Sequence, residues 1–309
     1  MASVMLAGRD LVSMDDLTAE ELQAVLARAA ELKARLRAGE QTPAAAGKSL
    51  AMIFEKPSLR TRVTFEVGMR QLGGQAIYLA PQDIQLGARE SIADVARNLS
   101  RWVNGIMART FAHRTVQELA EYASVPVVNG LSDREHPCQT LGDLLTIQEH
   151  FGRLEGIRVT WVGDGNNVLH SLLLGGAKVG LHITVATPPA YEPAGELVSR
   201  ARAIGGEGAV VLTPDPHEAV RGADVIYTDV WVSMGQEAER QERLRAFAGF
   251  QVDAGLLRAS GGKAKVMHCL PAHRGEEIAA NVLDGPNSIV LDQAENRLHA
   301  QKGLLAMIL

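Results

Sequence analysis

Two guanidinium groups and two hydroxyls fall within five consecutive residues, Ser58-Leu59-Arg60-Thr61-Arg62. The apolar run Leu50–Phe54 before them predicts a buried strand, and Glu55-Lys56-Pro57 stops it. Val63, Phe65, Val67 and Met69 then begin a helical pattern. The segment therefore opens a helix, where unsatisfied backbone N–H groups and the positive dipole end attract anions. Cations at that end oppose the dipole, so a bound anion is expected to offset them. Arginine adds a planar fork matched to phosphate oxygens.

Other polar clusters share this placement. Arg109 follows the apolar run Gly105–Ala108 and parallels Arg60 as a phosphate or carbonyl contact. His136-Pro137-Cys138-Gln139 starts a helix with proline at its first position, which puts His136 and Gln139 one turn apart on one face. Such a pair can polarise a carbonyl and hold a neighbouring NH2, although a capping histidine beside a solvated glutamine reads equally well. Cys138 reads as a small packing residue.

Gly163-Asp164-Gly165-Asn166-Asn167 begins like a dinucleotide fingerprint but lacks the third glycine, and Ala186-Thr187 offers no ribose-binding acid. Asn167 suits a small ligand such as a carboxylate instead. Asp229, after the run Val225–Thr228, can bind an ammonium group, and Ser233-Met234-Gly235 forms a loop behind it. His268-Cys269-Leu270-Pro271 could signal a thiol nucleophile or a metal site. With no CxxC spacing and no orienting group in evidence, Cys269 is expected to line a polar pocket at a strand end.

The elements that must position these residues alternate along the chain. Thr18-Ala19-Glu20-Glu21 fits a capping box ahead of a helix carrying Leu22, Val25, Leu26, Ala29 and Leu32. Strands are expected at 50–54, 76–79, 105–108 and 125–128, then at 158–162, 183–186, 210–213, 225–228 and 266–270, with a last short one at 289–291. Helices are expected between them, among them 62–72, 136–151, 167–179, 237–247, 277–282 and a final 294–309. Strands apolar throughout and separated by helices indicate parallel sheets covered on both faces. The expected fold is α/β, with two similar-sized domains joined through the helix at 136–151. Ligands of such sheets bind beyond the carboxyl ends of the strands, so the six clusters are expected to meet in an interdomain cleft.

The chain has 309 residues, 46% hydrophobic and 22% charged, ordinary for a soluble globular protein. A net charge of −5 argues against a nucleic-acid or polybasic membrane surface, and two cysteines suit a reducing compartment. No apolar segment is long enough to span a bilayer, and Met1–Asp10 is unlike a secretory or import signal. A cytoplasmic location is expected.

Taken together, these residues resemble the aspartate/ornithine carbamoyltransferase family from Leu50 to the last helix. Phe54–Arg62 is similar to its carbamoyl-phosphate loop. Gln85-Leu86-Gly87 with Glu90-Ser91, Arg109, His136–Gln139 and His268–Gly275 follow in the family's order. Asp229 with Ser233-Met234-Gly235, and Gly163–Asn167, look like the ornithine-type acceptor site. Leu59 departs from the family's usual threonine, leaving that position only its backbone N–H.

The resemblance implies carbamoyl transfer from carbamoyl phosphate to the δ-amine of L-ornithine, giving L-citrulline and phosphate without cofactor or metal. The commoner setting is arginine biosynthesis. It implies a carbamoyl-phosphate domain at 1–149, with the helix 294–309 packing back toward it, and an ornithine domain at 150–293. Ser58, Leu59, Arg60, Thr61, Gln85, Arg109, His136, Gln139, Cys269, Leu270 and Arg297 would bind carbamoyl phosphate, with Arg109, His136 and Cys269 catalytic. Asn167, Asp229, Ser233 and Met234 would bind ornithine. Phosphate, or Cys269 with its surroundings, would take the proton from the amine. The family implies a homotrimer or an assembly of trimers, with Gln85 reaching a neighbour's phosphate site.

Overall fold

The computed structural model describes residues 6–233 and 235–309. The chain divides into two compact units, Met1–Leu145 with Glu295–Leu309, and Thr146–Ala294. Both are α/β, as expected.

In the first unit the order is α1 (Ala19–Arg37), β1 (Ser49–Phe54), α2 (Leu59–Gln71), β2 (Gln75–Leu79) and α3 (Pro81–Ile84). Next come α4 (Ile92–Trp102), β3 (Gly105–Arg109), α5 (His113–Tyr122), β4 (Val127–Leu131) and α6 (Pro137–Phe151). Four parallel strands lie in the order β2-β1-β3-β4. Thr18 and Glu21 complete the capping box of α1, whose buried stripe is Leu22, Val25, Leu26, Ala29 and Leu32. Each of these larger side chains contributes roughly 1.5–3 kcal/mol by leaving water.

In the second unit the order is β5 (Arg158–Val162), α7 (Asn167–Lys178), β6 (His182–Ala186), α8 (Gly195–Gly205), β7 (Val210–Thr213) and α9 (Pro216–Ala219). It continues through β8 (Val225–Thr228), α10 (Arg240–Ala246), α11 (Ala254–Ala259), β9 (Lys265–His268), α12 (Ala280–Leu283) and α13 (Val290–Ile308). Five parallel strands lie in the order β7-β6-β5-β8-β9. Trp231 stacks on Phe247, and Tyr191 meets the same ring edge-on, in the core beside β8.

The chain leaves the first unit within α6 and returns to it within α13. The returning half of α13 lies against α1 so closely that a Cβ on Gly303 would come 2.8 Å from both the Ala29 Cβ and the Val25 carbonyl oxygen. Buried Lys33 on α1 donates to Asn296 Oδ1 at 2.7 Å.

Several element boundaries differ from the expected ones. Ile289–Leu291 is not a strand: Ser288 makes a single bridge to Val266, and α13 begins at Val290. Three apolar residues cannot distinguish the two periods; Gln293 N–H donates to the Ile289 carbonyl, which leaves Leu291 75% exposed on the helix. The helix expected at 277–282 shrinks to α12, because Ile278 bridges Val252: Val252 N–H donates to the Glu277 carbonyl at 2.8 Å and Ala279 N–H to the Val252 carbonyl at 3.0 Å. The segment 237–247 is split into a 3-10 turn, Glu237–Glu239, and α10. The last strand stops at His268 because Leu270 adopts a left-handed φ of 59°.

Candidate active site

Each sheet reverses its strand order at one place, and both reversals carry the polar clusters. In the first unit the switch falls between β1 and β3, where Phe54 and Arg109 are register partners. In the second it falls between β5 and β8, which lead directly into Gly163–Asn167 and Asp229. Crevices at such points are the ligand sites of open parallel sheets.

At the first crevice Ser58 caps α2, its hydroxyl accepting from the Thr61 N–H at 3.3 Å. Leu59 and Arg60 therefore occupy the first helical turn. Leu59 is 76% exposed, while Thr61 faces inward with Phe65 and Met69. Arg62 turns away: it pairs with Glu66 at 3.0 Å and lies 3.8 Å above the Tyr78 ring. Its guanidinium is thus committed to the helix surface.

Arg109 is the last residue of β3 and is buried. Its carbonyl accepts from Glu55 N–H at 2.8 Å, tying the end of β3 to the loop before Ser58. His136 precedes α6 and is also buried. Burial first, then the charges of Arg297, Arg109 and Arg60, hold its imidazole well below the usual histidine range. His136 is therefore neutral at physiological pH, a hydrogen-bond donor set among three guanidinium groups.

Arg297 on α13 joins these parts together. It donates to Gln139 Oε1 at 2.5 Å and to Thr61 Oγ1 at 3.4 Å. Gln139 in turn donates to Asp143 Oδ1 at 2.8 Å, one turn along α6. A side chain on Gly142 would press on Arg297, its Cβ meeting Cδ at 3.1 Å. Gln85 ends α3 in a left-handed conformation, φ 46°, on the exposed loop 85–90. Cys138 is buried against the Asn129 carbonyl, and burial pushes its thiol up to about 12, which suits packing.

At the second crevice Asn166 caps α7, accepting from the N–H groups of Val168 and Leu169. Its amide also donates to Asp229 Oδ2 at 2.7 Å. Asn167 is the first helical residue and half-buried. Gly165 is obligatory here, since a Cβ would lie 2.3 Å from the backbone nitrogen of Pro193. Asp229 Oδ1 accepts from the Cys269 thiol at 2.9 Å and from Val230 N–H at 2.8 Å. Ser233 N–H donates to Gln236 Oε1 at 3.0 Å in the following turn, and Met234 lies outside the described residues. Cys269 and Leu270 leave the end of β9 half-buried.

Asp229, His268 and Cys269 offer ligand atoms within 4.8 Å of one another. The carboxylate already accepts three donors and the thiol hydrogen already points at it, so an ion there would have to displace those bonds.

Three contributors are not singled out by the sequence reading. Asn166 was overshadowed by Asn167, although asparagine two residues before an apolar helical run is a capping signal. Arg243 on α10 pairs with Asp164 at 3.2 Å and donates to the Trp231 carbonyl at 3.1 Å. Burial pushes Asp164 up to about 6, with Arg243 opposing it. Glu277 reaches His268 from the turn just before the Ile278–Val252 bridge.

Two family models match the chain. Residues 9–149 match the carbamoyl-P binding domain of the aspartate/ornithine carbamoyltransferases, and residues 155–308 the Asp/Orn binding domain. The chain is 56% identical over 306 residues to an ornithine carbamoyltransferase of Symbiobacterium thermophilum, covering 98% of this chain and 99% of that one. It superposes on the structure of ornithine carbamoyltransferase from Pyrococcus furiosus with a TM-score of 0.96 at 54% identity, covering 99% and 98% of the two chains. The anabolic ornithine carbamoyltransferase of Campylobacter jejuni, at 35% identity, gives 0.90 over 96% and 97%. Among the described residues no helix is long and apolar enough to cross a membrane.

Proposed function

We propose a reaction for this chain from one premise: it belongs to the aspartate/ornithine carbamoyltransferase family. It transfers the carbamoyl group of carbamoyl phosphate to the δ-amine of L-ornithine, giving L-citrulline and phosphate, in arginine biosynthesis. The observation that carries the reading is the neutral His136 among Arg60, Arg109 and Arg297 at the β1/β3 crevice. Three fixed cations suit a phosphate dianion, and a neutral imidazole can donate to a carbonyl oxygen without competing for that dianion. The acceptor follows the ornithine carbamoyltransferases that the chain resembles, two of which are anabolic enzymes.

In this reading Ser58, Arg60, Thr61 and the N–H groups at Leu59 and beyond hold the phosphate. Arg109 spans the phosphate and the carbamoyl oxygen. Gln139, oriented by Asp143 and Arg297, holds the carbamoyl NH2 with the backbone at Cys269 and Leu270. Asn167 takes the ornithine carboxylate, and Asp229 with Ser233 and Met234 takes the α-ammonium. The δ-nitrogen lone pair forms the C–N bond while the C–O bond to phosphate breaks. The nitrogen's proton passes to the departing phosphate or to the Cys269–Asp229 pair. Donors aimed at the developing oxyanion and the leaving phosphate lower the barrier because they strengthen in the transition state.

The same resemblance assigns 1–149 to carbamoyl phosphate and 150–293 to ornithine, a cytoplasmic location, and a homotrimer or an assembly of trimers. Trp102 and Phe111, 71% and 53% exposed on the first unit, suit subunit contact. Gln85 on its exposed loop then serves a neighbouring site. Mixing Arg109→Ala with Gln85→Ala chains should restore some activity, and no recovery would reject shared sites. The test of the reaction is a carbamoyl-phosphate assay with ornithine, acetylornithine, putrescine and aspartate in parallel. A better acceptor than ornithine would overturn the assignment.

A further inference from the structure

Behind the Cys269–Leu270 turn lies an ionisable pair to which the proposed chemistry gives no part. His268 and Glu277 have fully buried side chains, and His268 Nε2 lies 3.1 Å from Glu277 Oε1. The other ring nitrogen is an acceptor: Leu270 N–H donates to Nδ1 at 2.9 Å. An imidazole that accepts from an amide at one nitrogen carries its hydrogen on the other, so Nε2 donates to the carboxylate. Burial pushes the Glu277 carboxyl up, but the bonds from His268 and from His273 N–H outweigh it and leave it below the usual range. Glu277 is thus a buried carboxylate that selects one tautomer of His268.

That tautomer has a structural consequence. Leu270 sits at φ 59°, in a region sparsely populated by residues with a Cβ, so surrounding bonds have to hold it there. His268 is itself held: it pairs with Thr228 across the sheet, and its N–H donates to Gln293 Oε1 at 2.9 Å. The turn fixed in this way carries the Cys269 thiol that bonds Asp229. The Leu270 N–H is thereby engaged by the ring of His268.

We propose that His268 and Glu277 are positioning residues for carbamoyl transfer, a buried carboxylate–imidazole–amide relay that holds Cys269 and Leu270 in reactive orientation. The functional part rests on the proposed reaction; the relay itself does not. In the intact protein, nitrogen NMR of the His268 ring should show hydrogen on Nε2 and an unprotonated Nδ1. Hydrogen exchange at the Leu270 amide should be slowed about 100-fold or more relative to an unprotected loop amide. His268→Leu removes both bonds; it should abolish that protection and lower kcat about 100-fold while the KM for ornithine stays within about threefold, as expected for misplacement of a reacting group. His268→Asn keeps an acceptor near the Nδ1 position and should recover about tenfold of the lost kcat. Hydrogen on Nδ1, or a folded His268→Leu protein with near wild-type kcat, would overturn the proposal. If His268→Leu does not fold, the wild-type tautomer and exchange data still decide the relay. Failure of the wild-type protein to form citrulline would reject the reaction and leave those two measurements standing.

Discussion

The Cys269 thiol donates to Asp229 Oδ1 at 2.9 Å, joining the ends of two adjacent parallel strands, β8 and β9. Asn166 donates to the other carboxylate oxygen at 2.7 Å, so one acid organises residues from three strand ends. This arrangement suits an ammonium ligand, because the donors fix the carboxylate plane and leave its negative charge in place.

The pair should behave as a coupled unit. Asp229→Asn is expected to lower kcat/KM for ornithine about 100-fold, and Cys269→Ala about tenfold. Combined, the two should cost less than their sum, with a coupling of about 0.5–3 kcal/mol. Steady-state kinetics on the four proteins measures it, and strict additivity would mean that the thiol acts independently of Asp229.

Arg297 supplies a second test, because one guanidinium serves both Gln139 and Thr61. Arg297→Lys keeps the charge and loses the fork. The KM for carbamoyl phosphate should rise about 10- to 100-fold, the loss of one or two charge-assisted bonds. The KM for ornithine should change far less, and equal effects on both substrates would place Arg297 outside the phosphate site.

The βα alternation made much of this architecture legible. Apolar strands followed by polar residues place Arg109 and Asp229 at strand ends and Arg60 and Asn167 at the helix starts that follow, and the two switch points lie beside those residues. Contacts across sequence were less legible. Glu277 meets His268 from a turn held by the Ile278–Val252 bridge, where local propensity favours a helix. Arg243 carries no motif, and its link to Asp164 arises from where α10 packs. Ile289–Leu291 was too short for its period to separate strand from helix.

Leu59 opens α2 within the loop proposed to hold phosphate, and its side chain is 76% exposed. At the first position of α2 it contributes a backbone N–H and little packing. Leu59→Thr should change folding stability by no more than about 0.5 kcal/mol. The added hydroxyl should lower the KM for carbamoyl phosphate by up to about tenfold, the worth of one hydrogen bond. A tenfold rise in KM would mean that the leucine side chain itself serves the site.

His299 makes stability depend on pH, and its sign can be worked out. Its side chain is 4% exposed on α13; burial first, then Lys302 and Lys33, lowers it to about 4, although Glu295 at 3.4 Å opposes them. Below about pH 6.5 the unfolded chain binds a proton at this residue while the native chain does not until about pH 4. The unfolded state is therefore favoured as pH falls through that window. His113 and His136, also lowered by burial, act in the same direction. Asp164 acts in the opposite direction, since its carboxyl, raised to about 6, takes up a proton in the native state first. His299→Gln isolates one contribution: its urea midpoint should fall less than that of the wild type between about pH 7.5 and about pH 5. Equal falls in the two proteins would show that His299 titrates alike in the folded and unfolded chains.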